Sequence, residues 1–265
     1  MRIFKRKLYE KLLDWKNNRS GRTAVLIEGA RRVGKSTLAR QFAQNEYESY
    51  VMIDFSIVKK DILELFDSIA DLDYFFLQLQ FRLGVSLKER KSLIIFDEVQ
   101  MCPKARQAIK HLVADGRYDY IETGSLISIR KNVKDIVIPS EEEKMILHPL
   151  DYEEFKWALG DTTTIPQMRM IFEKRLSMGD AVTRKLMRDF RLYMAVGGMP
   201  QAVCEYLETN NLMDVDRVKR GIIQLYEDDF YRIDQSGRIS MLFDAIPAQL
   251  SSNASRFQVA SALGD

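Results

Sequence analysis

Gly29 and Gly34 stand five residues apart, and Lys35, Ser36 and Thr37 follow the second glycine directly. The stretch Gly29-Ala30-Arg31-Arg32-Val33-Gly34-Lys35-Ser36-Thr37 comes straight after the apolar run Ala24 to Ile27. It fits G-x-x-x-x-G-K-[ST], a pattern that cradles polyphosphate when it joins a strand to a helix. The glycines let the backbone wrap the anion, so that successive N–H groups and the positive end of the next helix dipole face it. Lys35 then adds a mobile charge at the β and γ phosphates, Ser36 offers an oxygen to Mg²⁺, and Thr37 reaches the α phosphate. A bare glycine turn would account for the glycines and leave Lys35 unexplained.

A second constellation completes this chemistry. Residues 93 to 98 read LIIFDE, four apolar residues and then two carboxylates, as at the carboxyl end of a buried strand where ligands of such sheets gather. Asp97 is placed to hold Mg²⁺, and Glu98 to orient and deprotonate the water that attacks the γ phosphate. A phosphotransferase must keep water away, so Glu98 favours hydrolysis. Further on, Glu122-Thr123-Gly124-Ser125 brings hydroxyls to the same edge. Thr123 or Ser125 would sense the phosphate or fix the water, and a plain strand-to-turn transition explains the same residues equally well.

These residues need a frame. Five short apolar runs alternate with helical patterns: Ala24 to Ile27, Tyr50 to Asp54, Ser92 to Phe96, Tyr118 to Thr123 and Met145 to Leu147. The alternation predicts an α/β fold with a parallel sheet covered by helices. Helices are expected at Ser36 to Asn45, Asp61 to Gly84 and Pro103 to Ala114, and an amphipathic one around Leu8, Leu12, Leu13 and Trp15. After Leu150 the strand signals give way to helical patterns up to Tyr231, with Met168, Met170, Met187 and Met194 expected as core filler. From Ser240 a helical pattern runs to Leu250, and a short one from Phe257 closes at Gly264, which predicts a continuation beyond Asp265. The expected domains are a core over 1–150, a helical lid over 151–235 and the start of a C-terminal domain over 236–265.

Composition narrows the class. Of 265 residues 46% are hydrophobic and 29% charged, as in ordinary globular chains, and no apolar run approaches the roughly 20 residues of a membrane span. The basic N-terminus lacks the apolar stretch of a secretory signal, so a cytoplasmic protein with no membrane partner is expected. A net charge of +2 does not by itself call for a polyanion. Two cysteines far apart and two histidines, His111 and His148, give no support to a disulfide framework or a zinc site.

GARRVGKST, LIIFDEVQ, ETGS, HPLDYEEF and GGMP, in this order and spacing, resemble the AAA-type P-loop ATPases of bacteria and archaea that join an ATPase core to a helical lid and a C-terminal domain. The resemblance implies a three-layer P-loop NTPase core, ATP and Mg²⁺ as ligands, Asp97 and Glu98 as the acidic pair, and Thr123 or Ser125 near the sensor position. It also implies a winged-helix start near the C-terminus. Gly198-Met199-Pro200 looks like the Gly-x-Pro lid motif of related signal-transduction ATPases, although a helix break before a proline-started helix reads the same way. Where many members carry Gly-Arg, this chain has Ser140-Glu141-Glu142-Glu143, which leaves the catalytic arginine unassigned, with Arg130 as a candidate. The expected activity is Mg²⁺-dependent ATP hydrolysis coupled to core–lid movement and to a protein or DNA partner of the C-terminal part. The alternative is a nucleotide-regulated nucleic-acid-binding module with little turnover.

Overall fold

A strand with no polar face is stable only when both faces are covered, and the central strands meet that demand. Ala24–Gly29 (β1) and Ser92–Asp97 (β3) are buried at every position. With Ser49–Asp54 (β2), Asp119–Ser125 (β4) and Glu142–Leu147 (β5) they form one sheet in the order β2-β3-β4-β1-β5, each adjacent pair parallel. This computed structural model describes residues 2–125, 139–251 and 256–263.

Alternation along the strands sends side chains to two separate cores. Leu26, Ile94, Phe96 and Tyr120 join a cluster with Phe66, Phe75 and Phe76, and with Ile109 and Leu112 of Pro103–Asp115 (α5). Val25, Ile27, Leu93, Ile95 and Ile121 face the other way, onto Lys7–Arg19 (α1) and Lys35–Glu46 (α2). The result is the expected three-layer α/β arrangement. On α1 the buried residues are Leu8, Leu12 and Trp15, one face of a helix, and each such side chain is worth about 1.5–3 kcal/mol.

Three expectations are corrected. The single helix expected over Asp61 to Gly84 is two, Lys60–Leu65 (α3) and Leu72–Leu83 (α4), joined by a 3₁₀ turn at Phe66–Ser68. Asp71 starts the second one, its carboxylate accepting the Tyr74 N–H as an N-cap. The helix expected from Ser240 to Leu250 is likewise split into Arg238–Asp244 and Ile246–Ser251, because Pro247 has no N–H to continue the first. Third, the methionines do not fill a core. Met170, Met187 and Met194 are exposed and Met168 is half-buried, since Thr164–Glu173 (α7) buries no residue and Asp180–Val196 (α8) buries only Leu186 and Val196.

The chain forms two compact units, Met1–Cys204 and Glu205–Asp265. The first holds the sheet, its covering helices, Tyr152–Ala158 (α6), α7 and α8, and the start of Pro200–Thr209 (α9). In the second, Leu212–Ile233 (α10) packs on Arg238–Asp244 (α11) through Tyr226, Phe230 and Phe243. Cys102 and Cys204 are thiols, not joined in a disulfide. No helix of the described residues is long and apolar enough to cross a membrane.

One charged group is sealed inside the core. Arg106 of α5 grips Glu142 with both arms of its guanidinium, at 2.8 and 2.9 Å. Glu122 of β4 lies fully buried in the field of this pair, and burial, followed by the Glu142 charge, lifts its carboxyl well above the ordinary range against the pull of Arg106. The folded chain therefore keeps a proton that the unfolded chain releases above about pH 4.3, so stability falls as pH rises, by at most about 1.4 kcal/mol per unit. Glu122→Gln removes this dependence. In urea unfolding at pH 5 and pH 8 the variant should gain on the wild type at the higher pH, and parallel pH profiles would refute the assignment.

Candidate active site

Parallel strands end at one edge, and there the register brings the sequence motifs together. Gly29 lies opposite Ser125 on one side and Leu147 on the other, while Asp97 lies opposite Asp54. Gly29 is required by this crowding: a Cβ on it would stand 2.3 Å from the Leu147 carbonyl oxygen. Beyond it the loop turns through left-handed residues, Arg32 at φ 67° and Gly34 at φ 97°, into the first turn of α2. Alternation of this kind aims consecutive N–H groups into one concavity.

Lys35 is buried, and its ammonium donates to the carbonyls of Gly29 and Ala30 at 3.1 and 3.0 Å. Burial lowers its pKa, an effect opposed by the charges of Glu98 and Asp97. Ser36 donates to Oδ1 of Asp97 at 2.7 Å, and Thr123 donates to the same oxygen from the neighbouring strand. The Thr123 hydroxyl also accepts the Glu98 N–H at 3.3 Å. Glu98 itself sits in the left-handed region, φ 54° and ψ 47°, a conformation that costs an ordinary residue about 1 kcal/mol or more. The buried Gln100 amide donates to its Oε2.

Around these groups opens a cavity of about 300 Å³, lined by Arg31, Arg32, Gly34, Lys35, Ser36, Thr37, Glu98 and Gln201. A narrower, mostly apolar cleft shares Arg32, Gly34 and Thr37 with it and adds Ile3, Phe4, Leu38, Gln41 and Pro200.

The helical segment is tied to this edge by two devices. Gly198 has its backbone pressed on that of Leu150, whose N–H donates to the Gly198 carbonyl at 2.7 Å, and a Cβ on Gly198 would lie 2.1 Å from the Leu150 oxygen. Pro200 then opens α9 beside Gly34. The second device is Arg6. Its guanidinium donates to the Val33 carbonyl at 3.0 Å and to the His148 carbonyl, and pairs with Glu154 of α6 at 3.2 Å, both side chains being 6% exposed. Glu154 also accepts the Lys7 N–H at 2.6 Å and closes a capping box with Asp151.

Of the residues singled out in the sequence, Gly29 through Thr37, Asp97, Glu98, Thr123 and Pro200 converge on one edge. Ser125 is at the end of β4, beside Gly29, and Gly198 acts through Leu150. Arg130 lies outside the described residues. Pattern reading missed Phe4, Arg6, Gln41 and Gln100. Arg6 stands in a basic run that reads as a solvated helix face, and it is its burial with three partners distant in sequence that distinguishes it from the more exposed Lys7 beside it.

A family model for the AAA domain matches residues 21–156, and one for a domain of unknown function (DUF8612) matches residues 187–265. No curated protein matches the sequence. Among solved structures, the Walker-type ATPase paby2304 of Pyrococcus abyssi is 17% identical, with 91% of this chain and 79% of that one covered at a TM-score of 0.52, a likeness of fold. PCH-2 of C. elegans aligns at 13% identity over 82% of this chain and 65% of its own, with a TM-score of 0.42. A signal transduction ATPase with a tetratricopeptide repeat sensor, PH0952 of Pyrococcus horikoshii, aligns at 16% identity over 92% and 37%, with a TM-score of 0.44.

Two substitutions probe this geometry. Thr123→Val removes the hydroxyl that joins Asp97 to the Glu98 N–H and should cost about 1–3 kcal/mol in chemical unfolding. Gly198→Ala forces the Leu150 backbone aside and should cost a similar amount, about 1–3 kcal/mol. An unaltered unfolding midpoint in either variant would contradict the contact it removes.

Proposed function

The chain belongs to the AAA-domain family, whose model spans residues 21–156, and within it we propose that this protein is a Mg²⁺-dependent ATP hydrolase. The observation that carries the reading is the meeting of Ser36 and Asp97 at 2.7 Å beside a buried Lys35, at the mouth of the polar cavity. A hydroxyl and a carboxylate at this spacing fit a hard cation that takes oxygen ligands, keeps several waters and shares the substrate's phosphates. When bound there, Mg²⁺ would neutralise charge developing on the transferred phosphoryl oxygens.

The protein's own groups divide the remaining work. Amides of residues 30 to 36 and the N-terminus of α2 hold the phosphates, and Thr37 bonds the α phosphate. Lys35 exchanges its two carbonyl partners for β and γ oxygens. Glu98 takes a proton from the attacking water, with Gln100 fixing its carboxylate and Thr123 its backbone. Phe4, Leu38 and Pro200 offer apolar surface to the base. Ser125 remains a candidate for contact with the terminal phosphate. The nucleotide's state would reach the helical segment through the Leu150–Gly198 contact. The proposed division of labour is a core over 1–150, a lid over 151–235 and a C-terminal segment over 236–265 that serves a protein or DNA effector. The cytoplasm is the proposed place of work.

Calorimetry and phosphate release test this reading. Glu98→Gln should bind ATP about as tightly as the wild type while turnover falls about 100-fold or more. Lys35→Ala should weaken ATP binding or turnover. Normal hydrolysis by Glu98→Gln, or unaltered ATP affinity and hydrolysis in Lys35→Ala, would refute the assignment.

A further inference from the structure

Helix α8 has two faces with different duties. Leu186 and Val196 are buried, the half-buried Tyr193 and the partly exposed Phe190 pack on Tyr152 of α6, and the Tyr193 hydroxyl donates to the Leu150 carbonyl. Asp189 on the same side is taken up by Lys156 at 3.0 Å. At about 100° per residue, Arg184, Arg188 and Arg191 fall within about 60° of each other on the opposite side. All three are exposed, and Lys185 widens the basic surface.

Some arginines of the same unit are tied to acids and others, Arg22, Arg40 and Arg82 among them, are not; this row is set apart by three such residues sharing one helix face. Arg6, Arg90, Arg106, Arg117 and Arg169 each hold a carboxylate. Among the described residues Arg184, Arg188 and Arg191 hold none. A guanidinium left without an acid presents its planar fork to whatever anion can dock on it, and phosphate fits that fork bidentately. Helical rise places the three along about 10 Å, whereas duplex DNA carries one charge per about 1.7 Å of axis, so the row faces several phosphates at once. Tyr193 and one side of Phe190 are engaged with α6, while Met187 and Met194 stay exposed, so vesicle binding is included as an opposing arm of the test.

We propose that the outward face of α8, with Arg184, Arg188 and Arg191 at its centre, is a binding site for the phosphodiester backbone of a nucleic acid. Recognition is of charge and spacing, without base readout. The site is separate from the ATP reading and stands without it.

Fluorescence anisotropy of the full chain with a labelled duplex DNA and a single-stranded RNA, each about 20 nucleotides long, tests the proposal between about 50 and 200 mM KCl. Binding to either or both should fall steeply with salt, and the two arms tell which backbone is preferred. Arg184→Gln/Arg188→Gln/Arg191→Gln, which leaves the inward face intact, should lower affinity about 10-fold or more at low salt and flatten the logarithmic salt slope by about 2–3. A control that removes the same charge elsewhere, Lys11→Gln/Lys59→Gln/Lys110→Gln, should keep most of the affinity. Failure of the wild type to bind either probe, equal losses in the two variants, or arginine-dependent binding to phosphatidylserine vesicles in place of nucleic acid would overturn the proposal.

Discussion

One oxygen organises the active edge of this molecule. Oδ1 of Asp97 accepts a hydroxyl from the helix that follows the glycine loop and another from the strand inserted between β3 and β1. Three elements brought together by the parallel register thus share a single acceptor, whose own backbone is held by the ladder. An isolated buried carboxylate would be costly, and these two hydrogen bonds offset part of that cost while fixing where Ser36 stands. The same hydroxyl of Thr123 that reaches Asp97 holds the Glu98 N–H, so the proposed metal carboxylate and the proposed base are set by one side chain.

Much of this was legible in the residues. The glycine loop and LIIFDE can be read because their chemistry is local: consecutive residues carry the spacing, and a fully apolar strand signals burial on both faces. Glu142 shows the limit. As part of a Ser-Glu-Glu-Glu run it reads as solvated charge, yet it enters β5 fully covered and receives both arms of Arg106 from α5. Arg6 fails for the same reason. A charged residue announces burial only through its partner, and a partner some thirty or more residues away leaves no periodic trace. The methionines of α7 and α8 show the converse, since an apolar residue at helical spacing does not say whether another layer lies above it.

Placement of charge separates the two halves of the argument about function. Two arginines of the first unit belong to its interior: Arg6 and Arg106 are nearly inaccessible and their loss would leave a buried acid without compensation. On α8 the arginines are neither buried nor paired. The overall charge of +2 conceals this division, because many of the carboxylates that balance the basic residues are paired with other arginines and lysines. Surface charge becomes informative only after the ion pairs have been subtracted.

The resting arrangement of Lys35 constrains any nucleotide that enters. With its ammonium on the carbonyls of Gly29 and Ala30, the loop is internally satisfied and the buried charge has partners before a ligand arrives. In the proposed role of Lys35, phosphate binding would exchange two hydrogen bonds to neutral oxygens for bonds to anionic ones, which are roughly twice as strong. The net gain is the difference between these sets, so affinity depends on how firmly the loop carbonyls are held in place. Arg6 is the group that anchors this loop from outside, through Val33, and Glu154 anchors Arg6 from α6. On the proposed reading, phosphate affinity and the seating of the helical segment would be linked through this hydrogen bond and ion pair, and a change at either end would alter the reference state of the other.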